Sequence, residues 1–346
     1  MILITGGTGF IGSHTAVVLQ QAGYDVLVID NLHNSEREVI SAIGQITGRE
    51  PAFIEGDIRD VSLLAGLFKT HHIQAVMHFA GLKAVGESTQ IPLTYYDNNI
   101  QGSITLLQAM RNAGVRTFVF SSSATVYGDP QRLPLTEDHP RSATNPYGYT
   151  KLVIEDILES LYRSEPGWKI ARLRYFNPVG AHPSGLIGES PQGIPNNLMP
   201  FIAQVATGQR KQLNIFGNDY DTPDGTGVRD YIHVMDLAEG HKTALEYCNA
   251  QAQTLLTTNL GTGQGYSVLE MIQAYEQACG KPIAYQVAER RPGDIAACWA
   301  DTTYAKQTLG WKADLGLKEM CQDGWRWASR DNTGQQKRGQ DSFNTD

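Results

Sequence analysis

A glycine-rich loop near the start of the chain constrains the possible fold more than any other feature of the sequence. The loop carries Gly6, Gly9 and Gly12, follows a short apolar run and opens a segment of helical period. Glycines at this spacing permit a tight turn and a close approach of the backbone to a pyrophosphate, and the helix N-terminus supplies N–H donors. Because a strand, this loop and a helix follow one another in order, the sequence predicts a dinucleotide-binding unit.

The first half of the chain alternates between two kinds of segment. Apolar runs that are typical of buried strands occur at 2–5, 26–29, 75–79, 118–120 and 170–173. Segments of helical period lie between them, at 11–22, 61–69 and 98–113. Strands that alternate with helices require crossover connections, and near-continuous apolar strands fit a sheet that is covered on both faces. The sequence therefore predicts an α/β fold with a Rossmann-type, doubly wound parallel sheet.

The texture of the sequence changes after Tyr175. Proline and glycine are frequent between residues 176 and 197 and again between 217 and 227, and helical periods resume afterwards, at 198–207, 234–247 and 267–279. We interpret residues 1–175 as an NAD-binding Rossmann domain and residues 176–330 as a smaller α/β substrate lobe, partly interleaved with the first. The polar segment 331–346 is predicted to be a disordered tail.

Composition and charge exclude several functional classes. The chain has 346 residues with 28 Lys+Arg against 36 Asp+Glu, a net charge of −8, which argues against nucleic-acid and anionic-membrane partners. No apolar run approaches the ~18 residues of a membrane span, and no signal-peptide pattern is visible. The four cysteines are scattered, which favours free thiols in a reducing cytoplasm over zinc or disulfides. We predict a cytoplasmic protein without a metal.

An acidic residue follows the second apolar run. Asp30 lies 18 positions after Gly12, where a carboxylate suits a hydrogen bond to the ribose 2′-hydroxyl of a dinucleotide. The same carboxylate would repel a 2′-phosphate, and no Arg or Lys adjoins it. The sequence therefore predicts NAD rather than NADP as the cofactor.

A tyrosine and a lysine form the first candidate for chemistry. Tyr147 and Lys151 are four positions apart and so share one face of a helix. A nearby ammonium group stabilises a phenolate, so we expect Lys151 to lower the pKa of Tyr147 and to make it an acid/base group. Tyr149 has no lysine four residues on. A run of serines, 121–123, lies at the end of an apolar strand, where ligands bind in parallel sheets, and a serine hydroxyl there can orient a reacting alcohol.

These features together resemble the extended short-chain dehydrogenase/reductase superfamily and, within it, the UDP-glucose 4-epimerase family. The resemblance includes the runs 79–88, 173–182, 195–200 and 225–234, and it extends from Ile4 to about Trp327. It implies a reversible, redox-neutral inversion at carbon 4 of a UDP-hexose by an NAD-dependent isomerase. Hydride passes to tightly bound NAD while Tyr147 removes the hydroxyl proton, the 4-keto sugar turns in the site, and hydride returns to its opposite face.

The resemblance also assigns site residues. Ser123 orients the hydroxyl, and Lys151 bonds the nicotinamide ribose and lowers the pKa of Tyr147. The implied cofactor-binding residues are Gly6, Gly9, Phe10, Ile11, Gly12, Asp30, Asn31, Asp57, Ile58, Phe79, Ala80, Gly81, Lys83, Asn98, Tyr147, Lys151 and Tyr175. The implied substrate-binding residues are Ser123, Tyr147, Asn177, Asn197, Leu198, Phe216, Arg229, Arg291, Asp294 and Cys298.

Cys298 departs from the pattern of the family. The residue before Trp299 borders the sugar pocket in this family, where a tyrosine restricts the enzyme to unsubstituted hexoses. A cysteine is much smaller, so the resemblance implies room for a 2-acetamido group and interconversion of UDP-GlcNAc and UDP-GalNAc as well. Neutral drift with compensating bulk elsewhere is the alternative.

Two further functional classes compete with this interpretation. A nucleotide-sugar dehydratase or decarboxylase of the same superfamily is one, but dehydratases carry an acidic residue after the serine strand, and residues 124–126 contain none. A non-catalytic dinucleotide sensor is the other, although it would have little reason to keep Tyr147 and Lys151. The family also implies a homodimer, formed by helices 98–113 and 147–163 across a two-fold axis.

Overall fold

The computed structural model describes residues 1–191, 195, 197–291 and 294–340, and side chains as far as residue 330. The predicted doubly wound α/β architecture is confirmed by a seven-stranded parallel sheet. Its strands are β1 (Ile2–Thr5), β2 (Val26–Asp30), β3 (Ala52–Glu55), β4 (Ala75–His78), β5 (Thr117–Ser123), β6 (Lys169–Tyr175) and β10 (Thr254–Leu260). Their order in space is β10-β6-β5-β4-β1-β2-β3.

Helices cover both faces of this sheet. The helices of the first half are α1 (Phe10–Gln21), α2 (Glu38–Thr47), α3 (Val61–Thr70), α4 (Val85–Gln90), α5 (Pro92–Tyr95), α6 (Gly102–Asn112) and α7 (Pro146–Ser164). A π-helical turn (Tyr96–Gln101) precedes α6, and a 3-10 segment (Ala124–Tyr127) follows β5. The predicted helix 98–113 thus begins in a π-turn.

The second half of the chain builds the smaller lobe. Its strands are β7 (Asn177–Val179), β8 (Leu213–Phe216), β9 (Val228–His233), β11 (Gly265–Ser267), β12 (Tyr285–Ala288) and β13 (Ala297–Cys298). Its helices are α8 (Leu198–Ala206), α9 (Val234–Ala250), α10 (Val268–Cys279), α11 (Thr303–Leu309) and α12 (Leu317–Gln340). Strand β9 pairs with β7, β11 and β13, and β8 pairs with β12. The capping box predicted at Ser267 is present.

The later chain also returns to the first sheet. Strand β10 pairs in parallel with β6, and helix α9 contributes Leu237, Ala244 and Leu245 to the apolar core that contains Val17 of α1. A second core lies on the opposite face of the sheet and a third inside the smaller lobe. A division at residue 175 separates the two halves of the sequence, but elements from both halves pack together on the large sheet.

Three observations bear on the remaining sequence predictions. Within the described residues, no helix has the length and apolarity needed to cross a membrane. Helix α12 continues into the segment predicted to be a polar tail. The side chains from residue 331 on and the whole of residues 341–346 lie outside the described part of the chain. The four thiols are free, with Cys248 and Cys321 buried and Cys279 and Cys298 half-buried.

Candidate active site

The predicted site residues of the first half lie at one edge of the large sheet. The sheet is parallel, so the carboxyl ends of all its strands lie at the same edge. The glycine loop follows β1, Asp30 ends β2, Phe79 follows β4, and Ser123 and Tyr175 end β5 and β6. The fold brings together at this edge residues that are more than 160 positions apart in the chain.

The glycine loop has the shape that a pyrophosphate requires. Gly6 has a φ of +69°, and a Cβ atom on Gly12 would lie 2.3 Å from the carbonyl oxygen of Gly6. Helix α1 begins at Phe10, its N-cap residue Gly9 provides no side-chain cap, and its first turn carries no acidic residue. Its first N–H groups are therefore available to an anion. The loop fits the phosphate groups of a dinucleotide.

Asp30 is fixed beside this loop by hydrogen bonds. Its Oδ2 accepts from the Thr8 N–H at 3.1 Å, and its Oδ1 accepts from the Leu32 N–H at 3.0 Å and the Ser35 hydroxyl at 3.2 Å. A carboxylate accepts about four hydrogen bonds, so acceptor capacity remains for a ribose hydroxyl. The arrangement fits an unphosphorylated ribose.

Asn31 and Asp57 extend this corner of the site. The Asn31 amide donates to Asp57 Oδ2 at 3.2 Å. The hydrogen bond from Arg59 lowers the pKa of Asp57 to about 2, and burial opposes this only in part. Ile58 is buried beside it and contacts the position where a Cβ of Gly102 would lie. The predicted adenine-side residues therefore lie together at the ends of β2 and β3.

The loop after β4 is held by the π-turn. Asn99 is buried; its Oδ1 accepts from the Leu82 N–H at 2.8 Å, and its amide donates to the Leu82 carbonyl at 2.9 Å and to Thr150 Oγ1 at 3.1 Å. The predicted residue Asn98 donates to the same Oδ1. Asn99 thereby joins the loop that carries Ala80, Gly81 and Lys83 to helix α7. Sequence analysis missed it because a helical periodicity gives no sign of a π-turn.

Ser123 and Tyr147 meet where α7 approaches the end of β5. Helix α7 begins with a cap in which Asn145 Oδ1 accepts from the Gly148 N–H at 2.9 Å. A Cβ on Gly148 would lie 3.1 Å from the Thr125 carbonyl, so the glycine permits this close approach. Ser123 Oγ accepts from Thr125 Oγ1 at 3.0 Å and hydrogen-bonds with Tyr147. Thr125 thus leaves the Ser123 hydroxyl proton free to point at the tyrosine.

The expected lowering of the Tyr147 pKa does not occur in this structure. Burial raises the pKa of Tyr147, and the hydrogen bond from Ser123 offsets this only in part. The Lys151 ammonium nitrogen lies 6.0 Å from the centroid of the Tyr147 ring. The sequence expectation was wrong in sign because helical spacing shows that two groups are neighbours but not how deeply both are buried.

Lys151 is buried and held by the end of β5. Its Nζ donates to the Ser121 carbonyl at 2.6 Å and to the Ser121 hydroxyl at 3.2 Å, and it lies 4.9 Å from the centroid of the Phe120 ring. Burial lowers the pKa of Lys151 to about 7. The lysine is therefore close to its titration point at neutral pH, which is characteristic of a functional lysine.

Two arginines, an aromatic ring and a carboxylate form a cluster in the smaller lobe. Arg291 stacks on Phe216 with its guanidinium carbon 4.4 Å from the ring centroid. Arg291 Nε contacts Asp294 Oδ2 at 3.0 Å, and Arg229 Nη2 lies 3.9 Å from Asp294 Oδ1. The four predicted substrate residues are thus brought together although they come from three separate segments. Such a cluster suits a diphosphate and a flat base.

The other predicted substrate residues lie in the second half of the chain. Asn177 begins β7, Leu198 begins α8, and Asn197 donates its amide hydrogen to Glu189 Oε1 at 2.8 Å. Cys298 lies in β13 beside Arg229 of β9, and Cys298 and Ala124, the residue after Ser123, pack against the same apolar cluster. Burial raises the pKa of the Cys298 thiol to about 11, so this side chain is neutral.

Two carboxylates that sequence analysis missed support the site. Glu189 accepts from both Lys83 Nζ at 2.9 Å and Asn197, and so joins a cofactor-side residue to a substrate-side residue. Asp230 is buried and accepts from the N–H groups of Thr262, Gly263 and Ala300. Asp230 directly follows the predicted substrate residue Arg229, which could have pointed to it. Only the fold shows that its carboxylate holds the backbone just after β13, the strand that carries Cys298.

Comparisons with known proteins agree with this geometry. The family described as GDP-mannose 4,6 dehydratase matches residues 3–324. The UDP-glucose 4-epimerase of Bacillus subtilis is 58% identical over 95% of this chain and 96% of its own. The structure of the Stenotrophomonas maltophila UDP-glucose-4-epimerase, with NAD and formylated UDP-arabinopyranose, is 52% identical, with a TM-score of 0.94 over 96% of this chain and 99% of that one. The Bifidobacterium longum enzyme, with NAD+ and UDP, is 50% identical, with a TM-score of 0.92 over the same shares.

The fold and the site together define an extended short-chain dehydrogenase/reductase that acts on a nucleotide sugar. The identities of 55–58% over nearly the whole chain make the assignment narrower. The chain belongs to the UDP-glucose 4-epimerase family, as the sequence predicted.

Proposed function

We propose that this protein interconverts UDP-glucose and UDP-galactose by inverting carbon 4 of the hexose. The observation that carries the proposal is the meeting of Ser123, Tyr147 and Lys151 at the sheet edge that also presents the glycine loop. An acid/base tyrosine beside a dinucleotide-binding loop is what an enzyme needs to oxidise an alcohol and reduce it again. Family membership narrows this chemistry to 4-epimerisation.

NAD fits the glycine loop, and we propose that it binds to the residues at the carboxyl edge of the large sheet. The glycine loop with Phe10 and Ile11 binds the pyrophosphate, Asp30 and Asn31 bind the ribose, and Asp57 and Ile58 border the adenine. The residues on the nicotinamide side are Phe79, Ala80, Gly81, Lys83, Asn98, Lys151 and Tyr175. When bound, NAD supplies the hydride acceptor and donor for carbon 4.

The chain's own groups handle the proton of the reacting hydroxyl. Ser123 holds the carbon-4 hydroxyl against Tyr147, and the tyrosine accepts its proton as the carbonyl forms. After the ketone turns, the same proton returns from Tyr147 to the oxygen, so the enzyme ends each cycle unchanged. Tyr147 is a phenolate before it takes up the proton and again after it returns it, and the Lys151 ammonium group stabilises that form, since no other cation among the described residues lies near the phenol.

The smaller lobe holds the nucleotide. We assign Arg229 and Arg291 to the diphosphate, Phe216 to the uracil, and Asp294 to the orientation of both guanidinium groups. Asn177, Asn197 and Leu198 border the space between the lobes, where the sugar lies.

The proposal is tested by incubating the purified protein with UDP-galactose and no added NAD. We expect UDP-glucose at equilibrium, because the cofactor remains bound through a complete cycle. If a product lighter by one water formed, the chain would be a dehydratase; the absence of an acidic residue in the segment Ala124–Tyr127 argues against that outcome. If nothing reacted even with added NAD, the epimerase proposal would fail.

We further propose that the enzyme accepts N-acetylated UDP-hexoses, because a small, neutral cysteine, Cys298, stands at the position that borders the sugar pocket in this family. The variant Cys298→Tyr fills that space. We expect it to lose at least about tenfold in kcat/KM on UDP-GalNAc while UDP-galactose turnover changes little, since adding bulk to a pocket discriminates by about 1–3 kcal/mol. Cys279→Tyr, at a half-buried cysteine on α10, is the matched control. Equal losses on both substrates would contradict the proposal.

We propose a homodimer built on α7 and the segment before α6. Leu93 is 79% exposed and Tyr149 48% exposed, with the Tyr149 ring packed edge-on against Tyr96. Large apolar side chains exposed this close together are typical of an interface. Light scattering is expected to give twice the chain mass, and Leu93→Glu is expected to give the monomer.

We also propose a cytoplasmic location, where four free thiols remain reduced.

A further inference from the structure

A chain of buried hydrogen bonds leads from Lys151 across the sheet edge to helix α9. Lys151 Nζ donates to Ser121 Oγ at 3.2 Å, and Ser121 hydrogen-bonds with the Tyr175 hydroxyl. The Tyr175 hydroxyl makes a short hydrogen bond with His241 Nε2, and His241 Nδ1 lies 2.8 Å from the Leu237 carbonyl. Lys151 lies on the α7 side of the sheet, whereas Tyr175 belongs to the core that faces α9.

The donors in this chain have a fixed order. The Leu237 carbonyl can only accept, so His241 carries its proton on Nδ1 and its Nε2 is an acceptor in the neutral ring. Tyr175 therefore donates to His241 and must accept from Ser121. Ser121 then has no proton left for Lys151 and presents only lone pairs to it. Every link points from the lysine towards the histidine.

We propose that His241 is a positioning residue of the active site, which orients Tyr175 and Ser121 so that Lys151 faces only acceptors and keeps its ammonium form. The inference rests on the proposed function, in which that ammonium group stabilises the Tyr147 phenolate. His241 touches neither substrate nor reacting atoms in this account. It acts through three intervening groups.

The surroundings of both ends support this order. Burial lowers the pKa of His241 to about 4, and no charged side chain among the described residues of α1, α11, β5, β6, β7, β9 or β10 perturbs it. Tyr175 is the titratable group in contact with it, and Phe79 packs on its ring. Around Lys151 the titratable groups are Tyr147 and His78, and His78 is neutral because burial lowers its pKa to about 3. Among the described residues the lysine has no anionic partner, so the Ser121 oxygens are its stabilising contacts.

Loss of the acceptor at His241 has a defined consequence for pH dependence. In His241→Phe the Tyr175 hydroxyl can turn and donate to Ser121, which frees the Ser121 proton to face Lys151. The pKa of Lys151 then falls, and with less ammonium present the pKa of Tyr147 rises. We expect the alkaline limb of the kcat profile to move to lower pH and the acid limb to higher pH, each by about 0.5–1 unit, the equivalent of about one hydrogen bond. KM for UDP-galactose is expected to stay unchanged.

A matched control separates this role from packing. His139 is also buried, and its Nδ1 lies 2.9 Å from the Pro140 carbonyl while its Nε2 accepts from the Gln131 N–H at 3.0 Å. It therefore has the same tautomer as His241, but within the described part of the chain no hydrogen-bonded path joins it to Lys151. His139→Phe is expected to lower the melting temperature without moving either limb. Bound NAD, released by denaturation and quantified, is expected to be equal in all three proteins.

The outcomes are distinct. The inference is supported if the limbs of the kcat pH profile move in His241→Phe and in Ser121→Ala but not in His139→Phe. The inference is overturned if both histidine variants lose the same amount of kcat and neither variant shifts a limb of the pH profile. If His241→Phe does not fold, Ser121→Ala decides alone. If the parent has no epimerase activity, the proposed function fails, and neutron diffraction on the parent still decides the inference: a proton on His241 Nε2 or a neutral Lys151 overturns it.

Discussion

Tyr147 is the residue on which the proposed chemistry depends most directly. Tyr147 is half-buried, and its phenol hydrogen-bonds with Ser123, which places it to receive the proton of a substrate hydroxyl. We expect Tyr147→Phe to lower kcat by about 10²- to 10⁴-fold, the usual contribution of a general acid/base group. The measurement is turnover of UDP-galactose, with bound NAD determined on the same sample.

Tyr149→Phe is the control for this variant. Tyr149 lies two positions later on the same helix, but its side chain is 48% exposed and points away from Ser123 towards Tyr96. We expect its turnover to match the parent. If Tyr147→Phe retained full activity, or lost its NAD along with its activity, the role of acid/base would be contradicted.

Single residues also show the limit of pattern-based reasoning. The pair Tyr147 and Lys151 was found from its spacing, and the structure confirms that both are at the sheet edge. The sign of the Tyr147 pKa shift was not predictable, because it depends on how deeply the folded chain buries the phenol, and Ser123, its hydrogen-bond partner, comes from the separate strand β5. Glu189 was missed because its partner Lys83 is far away along the chain.

At the scale of elements, the first turn of α7 connects stability with activity. Asn145 caps this helix two residues before Tyr147, and Pro146 occupies the first turn. We expect Asn145→Ala to destabilise the protein by about 1 kcal/mol and to lower kcat several-fold, because the first turn frays and Tyr147 moves with it. Thermal unfolding and UDP-galactose turnover are the measurements.

The cap of α3 provides the comparison. Asp60 Oδ1 accepts from the N–H groups of Ser62 and Leu63, both at 2.9 Å, on a helix that carries no site residue. Asp60→Ala is expected to cost a similar free energy of unfolding and to leave kcat at the parental value. Equal kcat values for the two variants would show that the α7 cap has no part in placing Tyr147.

At the scale of the whole molecule, we propose that the two lobes fold as one unit. The α1 face of the sheet is covered by α9, and β10 extends the sheet beyond β6, although both elements come after residue 233. A fragment of residues 1–175 would leave Val17, Leu19 and the outer edge of β6 without their partners. We expect that fragment to bind a hydrophobic dye and to unfold without a cooperative transition, whereas the full chain shows one.

Differential scanning calorimetry and dye fluorescence check this expectation. Two separate transitions in the full chain, or a cooperative transition in the fragment, would show that residues 1–175 are an independent domain.

The sequence by itself determined the α/β class, the positions of five of the strands and of helices α1, α3 and α6, the glycine loop and the pair Tyr147 and Lys151, whereas α2 and β3 were not predicted. These features are local: a period, a turn or a spacing of four residues is encoded by neighbours in the chain. Only the tertiary structure decided where β10 lies, how Arg229, Arg291 and Phe216 meet, and that Lys151 is joined to His241. Burial and long-range hydrogen bonds decide these properties, and both depend on how the whole chain packs.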